Sequence, residues 1–600
     1  MKKLLLLASI IIQQSTTNYC KSQSFNPQLG SMLQDTLNTY VAAITNIKGM
    51  SAAVYLPGQG IWQGTAGVSY TGQPITSDME FGIASNTKLF VSAAMLILEE
   101  NHILSLDDSL SDWLPSYPNI NPNITIRQLL NHTSGVQDPI FLSPWMDTIM
   151  ANPTRVFTPT EVLTWVGTPL FAPGVSWSYS NVNYILAGMV AESATGMHIS
   201  QIIRDSILTP LNLDSTFYDV EEPEFGTIAH RWYNTIDYND TSRVGLNTAG
   251  GSAGSLFSNS GDMIKWYHAI MNGQLLSPAS FAELTTFVPT GGAYTYGLGL
   301  ENQTWFGHNT YAHGGSTWGY KSRMVYDPCM GAVVCGLVNS WPSGMDGIAI
   351  LLYRVLVNHV PGCPGTITGT SSVCRGQTVT YTTTPIVHAT TYVWTLPNGA
   401  IGTSNTNSIT VTYGGAAVSG DITVRGNNQF GVGNVTTLPI IMNNVDVSTT
   451  TGNATIIANS AIGTYQWLDC NNGNSFIPGE TNQLFTPFAN GNFAVIITVN
   501  GCTDTSACVN FIGVGIADLT TEGLTISPNP FTSQTTIRFV KEQNNTTIKI
   551  VDVLGNEIKT LHISGKQCTI EKGEMSKGIY FIQIIEKGKS VMNKKIIVQE

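Results

Sequence analysis

The sequence predicts a multi-domain protein in which an N-terminal α/β domain, one sheet flanked by helices, precedes three all-β, sandwich-like modules. Three observations support this fold class. The chain has 600 residues, which is more than a single hydrophobic core accommodates. Residues 26 to about 360 mix helical periodicity with short strands, whereas the rest is rich in Thr, Val, Gly and Asn with frequent turns. The composition, 42% hydrophobic and 11% charged, is typical of folded domains.

The amino terminus is typical of a secretory signal. The segment MKKLLLLASIII places two lysines before an aliphatic run that is too short to cross a bilayer. We expect residues 1–22 to be removed, so that the mature chain begins at Gln23. Lipid attachment at Cys20 is the competing hypothesis, but residues 17–19 are polar or bulky where a lipid-attachment motif needs small ones. We expect no transmembrane segment in the mature chain.

Residues 23–360 are predicted to form the α/β domain. The predicted elements, in chain order, are a helix at 28–44, a hairpin at 50–70, helices after Lys88, at 181–194 and at 261–273, strands at 311–313, 319–327 and 332–340, and a closing helix at 346–360. One sheet flanked by helices would accommodate all of them.

The β modules follow the segment PGCPG at 361–365. Two units are predicted, at 361–442 and 443–515, with Trp394 and Trp467 in an early strand of each. We expect both tryptophans to lie in the cores of their modules rather than to bind ligands. A linker at 516–523 then leads to a third β unit at 524–600.

Charge and cysteine content limit the partners. The formal net charge of −12 argues against nucleic acid as a partner. Eight cysteines remain after signal removal, an even number that permits disulfides in an exported chain. Cys329 and Cys335 flank a predicted hairpin turn, so two buried free thiols are at least as well supported there as a disulfide between them. The expected pairs are Cys363 with Cys374, and Cys470 with Cys502 or Cys508. No cysteine or histidine spacing indicates a metal site, and we expect no cofactor.

The segment FGIASNTKLF places Ser85 and Lys88 three residues apart, before a run that is apolar on every side. On a helix these side chains face the same way, so the amine can reach the hydroxyl. A serine needs a base, and lysine serves as one when burial lowers its pKa. Unpaired N–H groups in the first helical turn could also bind an oxyanion. The alternative is that Ser85 caps the helix and Lys88 is exposed.

Eight segments carry a resemblance to a known family. They are FGIASNTK, LSLDDSLSDWLP, ITIRQLLNHTSGV, WSYSNVNYILAGMVAESATG, AGGSAGSLFSNSGDMIKW, YGLGL, AHGGSTWGYKSRMVYDP and LVNS, in that order. From about residue 30 to 355 the sequence resembles the serine β-lactamase and penicillin-binding-protein superfamily, in particular its class C and D-alanyl-D-alanine carboxypeptidase branch. The resemblance implies a β-lactamase/transpeptidase-like fold, with an antiparallel sheet flanked by helices plus a helical subdomain.

The resemblance also implies roles for the first two motifs. Ser85 would be the acylated nucleophile and Lys88 its proton partner. The family's Tyr-x-Asn motif falls at Tyr179 and Asn181. Tyr179 would share the proton between Ser85, Lys88 and the leaving group, and it should be inert without Lys88. The amide of Asn181 would hold Lys88 and the acyl-side carbonyl of the substrate. Without the resemblance, this spacing fits a strand end or a turn equally well.

The third motif, Lys-Thr-Gly in many relatives, appears here as His313, Gly314 and Gly315. The glycines would let an edge strand approach the substrate, and the backbone N–H of Ser316 would form the oxyanion hole with that of Ser85. His313 is a departure, because histidine is mostly neutral at pH 7 and would attract a substrate carboxylate only weakly. The resemblance is therefore closer to relatives with His-x-Gly that act as esterases, D-amino-acid peptidases or uncharacterised hydrolases.

Some aromatic and histidine side chains near the motifs admit two interpretations. His132, in NHTSG, could be a further base, but in this family the stretch looks like a structural turn near the site. Trp177, Trp318 and Tyr320 flank the motifs and could line the pocket, although such residues are more often part of a core.

The tail carries further resemblances. Residues 361–442 resemble PKD-like domains, and 443–515 resemble a cysteine-bearing immunoglobulin-like module. The segments SPNPF, VDVLGNEI, KGIYFIQI and MNKKIIVQE resemble the C-terminal sorting domain of the type IX secretion system. That resemblance implies the type IX machinery as a partner, export across the outer membrane, and removal of the tail before surface attachment or release.

The sequence thus predicts a secreted or cell-surface serine hydrolase that forms an acyl-enzyme at Ser85. Its substrate would be an ester, an amide or a D-amino-acid peptide, including peptidoglycan-type peptides. Two alternatives remain, a true class C β-lactamase and a non-catalytic adhesin whose β modules bind glycans. Against the adhesin, every motif position holds a chemically competent residue.

Overall fold

The computed structural model describes residues 24–140, 142–341, 346–513, 523–586 and 589–600. The predicted signal peptide and nearly all of the predicted linker lie outside these residues. The chain divides into two compact units, one ending at Asn443 and the other beginning at Asn444. Within the part of the chain that is described, no helix is both long and apolar enough to cross a bilayer.

The first unit begins with the predicted α/β domain. Its helices are α1 (Pro27–Ala43), α2 (Thr87–Glu100), α3 (Leu110–Trp113), α4 (Ile126–Leu130), α5 (Ser143–Ala151), α6 (Pro159–Leu163), α7 (Asn181–Thr195), α8 (Ile199–Ile203), α9 (Val244–Gly250), α10 (Ser260–Met271), α11 (Pro278–Leu284) and α12 (Asp346–His359). Its strands are β1 (Gly49–Leu56), β2 (Gly60–Tyr70), β3 (Gln73–Pro74), β4 (Phe81–Gly82), β5 (Phe217–Tyr218), β6 (Trp232–Tyr233), β7 (Ile236–Asp237), β8 (Leu256–Ser258), β9 (Val288–Pro289), β10 (Thr295–Tyr296), β11 (Glu301–Trp305), β12 (His308–Thr317), β13 (Tyr320–Asp327), β14 (Ala332–Val338) and β15 (Ser340–Trp341). Every helix and strand predicted for this domain is present.

Nine strands form one antiparallel sheet in the order β3-β2-β1-β14-β13-β12-β11-β10-β9. The N-terminal hairpin therefore lies beside the last long strands, with Ala53 opposite Cys335. The first and the last long strands of the domain are thus neighbours in this sheet. Most of the helices lie in the chain between them and form a separate layer. The predicted antiparallel sheet flanked by helices is confirmed.

One face of the sheet is covered by α1 and α12. The Asn26 side chain caps α1 by accepting a hydrogen bond from the N–H of Leu29 at 3.0 Å, and Pro27 occupies the first turn. Leu29, Leu33 and Leu37, spaced four residues apart, are fully buried. This apolar stripe packs with residues of β1 and α12 in one core.

The other face is covered by the larger core, which contains α2. Every residue of α2 from Thr87 to Leu98 is buried, as its apolar sequence predicts. The turn before it, Ala84–Asn86, is a 3₁₀ helix. Ser85 therefore lies in this turn rather than in the first α-helical turn, which corrects the expected position by about one turn.

The first β module, β16 to β23, also belongs to the first unit. Its strands are β16 (Ser372–Cys374), β17 (Thr378–Thr382), β18 (Thr391–Thr395), β19 (Ala400–Ile401), β20 (Ser408–Tyr413), β21 (Gly420–Asn428), β22 (Gly431–Val432) and β23 (Thr436–Asn443). They form a five-stranded and a three-stranded sheet around one core. Trp394 is only half-buried and donates its indole N–H to the carbonyl of Thr406, so it lies at the border of the core.

This module packs against the α/β domain through the loop before β22. The Phe430 ring is 7% exposed and belongs to the core formed by α1 and α12, with its centroid 5.2 Å from that of the His359 ring. The Gln59 amide donates to the carbonyl of Phe430 at 2.8 Å. Asn434 similarly donates to the carbonyl of Cys329 at 2.7 Å. The module thus completes a hydrophobic core of its neighbour.

We expect Phe430→Ala to destabilise this unit by about 3 kcal/mol, because the substitution opens a cavity in a core shared by two domains. Scanning calorimetry of the full chain should show the transition of the α/β domain at a lower temperature. Ile401→Ala is the matched control, because the Ile401 side chain is 71% exposed. Equal shifts for both variants would contradict the proposed contribution of Phe430.

The second unit contains the remaining β modules. Its strands are β24 (Thr449–Thr451), β25 (Ile456–Ala458), β26 (Thr464–Asp469), β27 (Ser475–Phe476), β28 (Leu484–Phe485), β29 (Gly491–Val499), β30 (Cys502–Thr505), β31 (Val509–Phe511), β32 (Leu524–Ser527), β33 (Gln534–Val551), β34 (Glu557–Glu571), β35 (Gly578–Glu586) and β36 (Lys589–Val598). Trp467 is fully buried, as predicted. Strands β32 to β36 form a five-stranded sheet over their own core.

The disulfides correct part of the sequence prediction. Cys470 pairs with Cys508, one of the two expected alternatives. Cys363 pairs with Cys329 instead of Cys374, with the two Cα atoms 5.7 Å apart, because the chain returns to the β13–β14 turn after α12. Cys335 is a buried free thiol. His308 lies beside Cys329 and Cys363.

Candidate active site

Neighbouring strands hold the turn that carries Ser85. The N–H of Ile83 donates to the carbonyl of Leu256 at 3.0 Å, next to the pairing of β4 with β8. The Ser322 hydroxyl, from β13, donates to the carbonyl of Ile83 at 2.6 Å and accepts a hydrogen bond from the amide of Asn86 at 2.7 Å. These contacts fix the turn, and Ser85 lines the adjoining cleft.

Lys88 is fully buried beneath Ser85. Its Nζ lies 3.1 Å from the Ser85 Oγ, 2.8 Å from the Asn181 Oδ1 and 2.7 Å from the carbonyl oxygen of Ala253. Burial lowers the pKa of Lys88 to about 7, although the carboxyl of Asp138 opposes this shift. The amine can therefore lose its proton near neutral pH, as expected from its apolar surroundings.

The second motif lies where α7 begins. The Tyr179 ring centroid is 4.9 Å from the Lys88 Nζ. Burial raises the pKa of Tyr179 well above its usual value, and a side-chain hydrogen bond with Ser85 opposes that shift. The Asn181 Oδ1 accepts a hydrogen bond from the Lys88 Nζ at 2.8 Å and so holds the amine in place. Ser85, Lys88, Tyr179 and Asn181 are thus brought together from two distant segments.

Asp138 belongs to this cluster, and the sequence did not indicate it. Its Oδ2 accepts hydrogen bonds from the backbone N–H of Asn181 at 3.1 Å and from the Asn181 amide at 2.8 Å. This pair of bonds orients Asn181 so that its Oδ1 faces Lys88. The only sequence signal is an acidic residue six positions after His132, which is too common to be informative.

His132 has a structural environment. It is buried, and its Nδ1 accepts hydrogen bonds from the N–H of Ser180 at 3.3 Å and the amide of Asn183 at 3.0 Å. Burial lowers the pKa of His132 well below its usual value, and the nearby charge of Lys88 lowers it further. A neutral ring that supports the start of α7 agrees with the expected structural turn.

The third motif forms the free half of β12. Strand β12 lies inside the sheet, but its pairing with β11 ends at Ala312, so residues 313–317 present an edge as predicted. A Cβ added to Gly315 would lie 2.1 Å from the carbonyl oxygen of Ile83. Glycine therefore allows the strand to touch the turn that carries Ser85.

His313 is buried and uncharged. Its Nδ1–H donates to the carbonyl of Gly314 at 2.7 Å, and its Nε2 accepts a hydrogen bond from the Tyr296 hydroxyl at 2.8 Å. Burial, and then the charge of Lys88, lower the pKa of His313 to about 3. His313 is therefore neutral at pH 7, and both of its ring nitrogens are already hydrogen-bonded within the protein. Tyr296 was not identified from the sequence.

We expect Gly315→Ala to lower kcat/KM for hydrolysis of a simple ester by about 100-fold, because moving reacting groups by about 1 Å has an effect of that size. The added methyl group would push β12 away from Ile83. Gly314→Ala should have a smaller effect, because its methyl group would meet only the flexible end of Arg323, at 2.8 Å from Nη1. A larger loss in Gly314→Ala would contradict this account.

The cleft beside Ser85 has a volume of about 290 Å³ and an uncharged, partly aromatic lining. Trp318 lines it, as do Trp145 and Trp341, which sequence reasoning missed. Tyr320 is 2% exposed and belongs to the core. Trp177 packs against the rings of Tyr294 and Tyr296 and is not among the residues that line this cleft.

Comparison with known proteins assigns the family. The family model described as Beta-lactamase matches residues 37–358, which is more than half of the chain. The chain belongs to the Beta-lactamase family. Its α/β domain has the β-lactamase/transpeptidase-like fold, and members of this family are serine hydrolases. A PKD-like domain matches residues 360–440, and a secretion system C-terminal sorting domain matches residues 525–599.

One relative is penicillin-binding protein 4* of Bacillus subtilis (strain 168). It is 28% identical over 275 residues, which are 42% of this chain and 59% of that protein. Protein flp of Staphylococcus aureus is 33% identical over 144 residues, 23% of this chain and 28% of that protein. The chain thus spans little more than half of the first relative's length. A D-amino acid amidase from Ochrobactrum anthropi SV3, complexed with L-phenylalanine, is similar in structure, with a TM-score of 0.50 and 25% identity over 55% of this chain and 99% of that one.

Proposed function

We propose that this protein is an exported serine hydrolase that transfers the acyl group of an ester, an amide or a D-amino-acid peptide to Ser85 and then to water. One observation carries the proposal. The amine of Lys88, with a pKa of about 7, lies 3.1 Å from the Ser85 hydroxyl oxygen in a buried site. A base with a pKa near neutral pH is what a serine nucleophile requires.

The three contacts of Lys88 support its role as the base. The ammonium form donates to Ser85, Asn181 and the carbonyl of Ala253. The neutral amine has two N–H donors, which match the two carbonyl-type oxygens of Asn181 and Ala253. Its lone pair is then directed at the remaining partner, the Ser85 hydroxyl, and can accept that proton as the oxygen attacks.

Tyr179 fits the role of an acid in this scheme. Because burial raises its pKa, the phenol keeps its proton at neutral pH. It can give that proton to the leaving group as the acyl bond breaks, and recover one from Ser85 through Lys88. In the second half of the reaction, water attacks the acyl-enzyme and Ser85 regains its proton.

Main-chain donors would stabilise the oxyanion. We assign this role to the N–H groups of Ser85 and Ser316, because Gly315 brings β12 into contact with the turn of Ser85. The Asn181 amide has a second N–H, beyond the one that binds Asp138, and Asn181 lines the cleft. That N–H can donate to the acyl-side carbonyl of the substrate.

The relatives support this reaction class. The D-amino acid amidase that shares the fold is named for amide hydrolysis, and penicillin-binding protein 4* is named for binding penicillin. We extend acyl transfer to this chain, and we assign export to its sorting domain. We further propose that the tail is removed after the type IX machinery has exported the chain.

Intact-protein mass spectrometry tests the proposal. The mature protein is incubated with a panel containing a penicillin, a fluorophosphonate, simple esters and D-Ala-terminated peptides. We expect an adduct of acyl or phosphonyl mass, which peptide mapping places on Ser85, and none on the heat-denatured protein. An adduct elsewhere, or none with any reagent, would overturn the proposal. A chromogenic cephalosporin assayed in parallel tests for β-lactamase activity.

A further inference from the structure

Trp318 and Trp341, which line the cleft beside Ser85, form an aromatic stack with Tyr233, which is not among the residues that line this cleft. Trp318 follows β12, Trp341 lies in β15 and Tyr233 lies in β6. The rings of Tyr233 and Trp318 are parallel within 3°, with centroids 4.4 Å apart. Trp341 stacks on both, with centroids 5.6 Å from Trp318 and 5.0 Å from Tyr233.

This stack holds its rings in fixed positions. Tyr238 packs edge-on against Trp318 at 5.8 Å, and β15 pairs with β6, which joins the segments of Trp341 and Tyr233. Trp318 and Trp341 remain half-buried and line the cleft. Preformed aromatic faces bind a flat apolar group without first ordering flexible side chains.

The stack is close to the chemistry. Trp318 is two residues from Ser316, whose N–H we assign to the oxyanion hole, and all three residues Ser316, Thr317 and Trp318 line the same cleft as Ser85. A group that rests on this stack would therefore be attached near the scissile carbonyl.

Apart from Lys88, whose amine is buried beneath Ser85, the described residues of the cleft offer no cation to a substrate. Every described residue that lines it is uncharged, and the sequence has no Lys or Arg at 141 or at 342–345. The nearby arginines have other partners: Arg231 donates to the carbonyls of Tyr238 and Thr241, and Arg323 pairs with Glu301.

His313 also provides no charge, because burial keeps its ring neutral, and its nitrogens are hydrogen-bonded within the protein to Gly314 and Tyr296. In the reactive form Lys88 is the neutral base, so a carboxylate that entered this cleft would lose water without gaining a counter-ion.

We infer that the cleft selects neutral esters or amides that carry an aryl group next to the scissile carbonyl, stacked on Trp318 and Trp341, and that it disfavours substrates with a free carboxylate on the leaving group. The inference rests on the proposed function at Ser85. It separates this chain from an enzyme that removes a C-terminal residue from a peptide, since that leaving group carries a carboxylate.

Four thioesters test both halves of the inference. They combine an acetyl or a phenylacetyl group with an ethanethiol or a mercaptoacetate leaving group, and the released thiol is measured by a colorimetric reagent. In each turnover the acyl group moves from sulfur to the Ser85 oxygen, the thiol leaves with a proton, and water releases the acid. We expect kcat/KM to be at least about tenfold higher for phenylacetyl than for acetyl, and higher for the neutral leaving group.

Variants locate the effect. Trp318→Leu and Trp341→Leu should each lower the ratio of kcat/KM for phenylacetyl to kcat/KM for acetyl by about tenfold. Trp394→Leu, a half-buried tryptophan in the PKD-like domain, is the matched control and should keep the preference. The rate of labelling of Ser85 by a small fluorophosphonate reports whether each variant is folded.

The outcomes separate the two proposals. Labelling of Ser85 with equal turnover of all four thioesters would overturn the inference and leave the proposed function standing. Preference for the mercaptoacetate thioesters, or an unchanged phenylacetyl preference in labelled Trp318→Leu and Trp341→Leu, would also overturn it. If wild-type protein neither reacts with the fluorophosphonate nor hydrolyses any thioester, the proposed function itself fails.

Discussion

Ser85→Ala is expected to lower kcat for ester hydrolysis by about 10⁴-fold or more, since removing the nucleophile eliminates the covalent path. The remaining rate would come from substrate binding and from the main-chain donors. The substitution removes one hydroxyl from a half-buried position in the 3₁₀ turn. It should therefore leave the fold intact, and the variant should unfold at nearly the wild-type temperature.

Ser51→Ala is the matched control for this loss. Ser51 is a fully buried serine in β1 whose hydroxyl bonds that of Ser260 at 2.9 Å, away from the cleft. Its removal can affect stability slightly but not turnover. If Ser85→Ala retained more than a few per cent of wild-type kcat with a wild-type unfolding temperature, acylation at Ser85 would not be the route of hydrolysis.

Local sequence was sufficient to predict the environment of Lys88. The run VSAAMLILEE is apolar on almost every side, and a helix of that kind is surrounded by protein. A lysine at its start is therefore buried, and burial determines the direction of its pKa shift. The same reasoning predicted that glycine in the third motif allows close approach, which Gly315 shows by its distance to Ile83.

The partners of these groups could not be predicted because they depend on how distant segments meet. Asp138 reaches Asn181 from a loop that precedes α5, and Tyr296 reaches His313 from the short strand β10. The aromatic stack combines residues from β6, β15 and the turn after β12. No periodicity within any one of these segments indicates that contact.

The disulfide of Cys363 shows the same limit. Sequence proximity favoured Cys374, eleven residues away, but the structure joins Cys363 to Cys329 across 34 residues. The two cysteines meet because α12 runs back along the sheet to the β13–β14 turn. The lengths of the last strands and of α12 could be predicted from the sequence. The direction in which α12 packs across the sheet could not, and that direction decides which cysteine lies next to Cys363.

Lys88→Met is expected to lower kcat/KM by about 10³-fold, in the range that a positioned general base contributes. Methionine is similar in length and apolar, so it fits the buried site without leaving an unpaired charge. The Asn181 amide and the carbonyl of Ala253 lose a donor, which will also reduce stability. Lys265→Met, at a half-exposed position on α10, is the control and should retain activity.

The pH dependence of kcat/KM tests the role of Lys88 more directly. If the neutral amine is the base, activity is lost as pH falls through about 7, because the amine becomes protonated. The decline should follow a single proton, about tenfold per pH unit. His313 cannot produce this acidic limb of the pH profile, because its pKa of about 3 keeps the ring neutral around pH 7.

Asp138→Asn should move this limb to lower pH. The carboxylate of Asp138 raises the pKa of Lys88, so its removal lets burial lower that pKa below 7. An amide of the same shape can still accept a hydrogen bond from Asn181, so the variant keeps part of the local geometry. The maximum rate is expected to fall modestly. The direction in which the acidic limb shifts depends only on the sign of the charge that is lost. A limb that stayed in place or moved to higher pH would show that a group other than Lys88 takes the proton from Ser85.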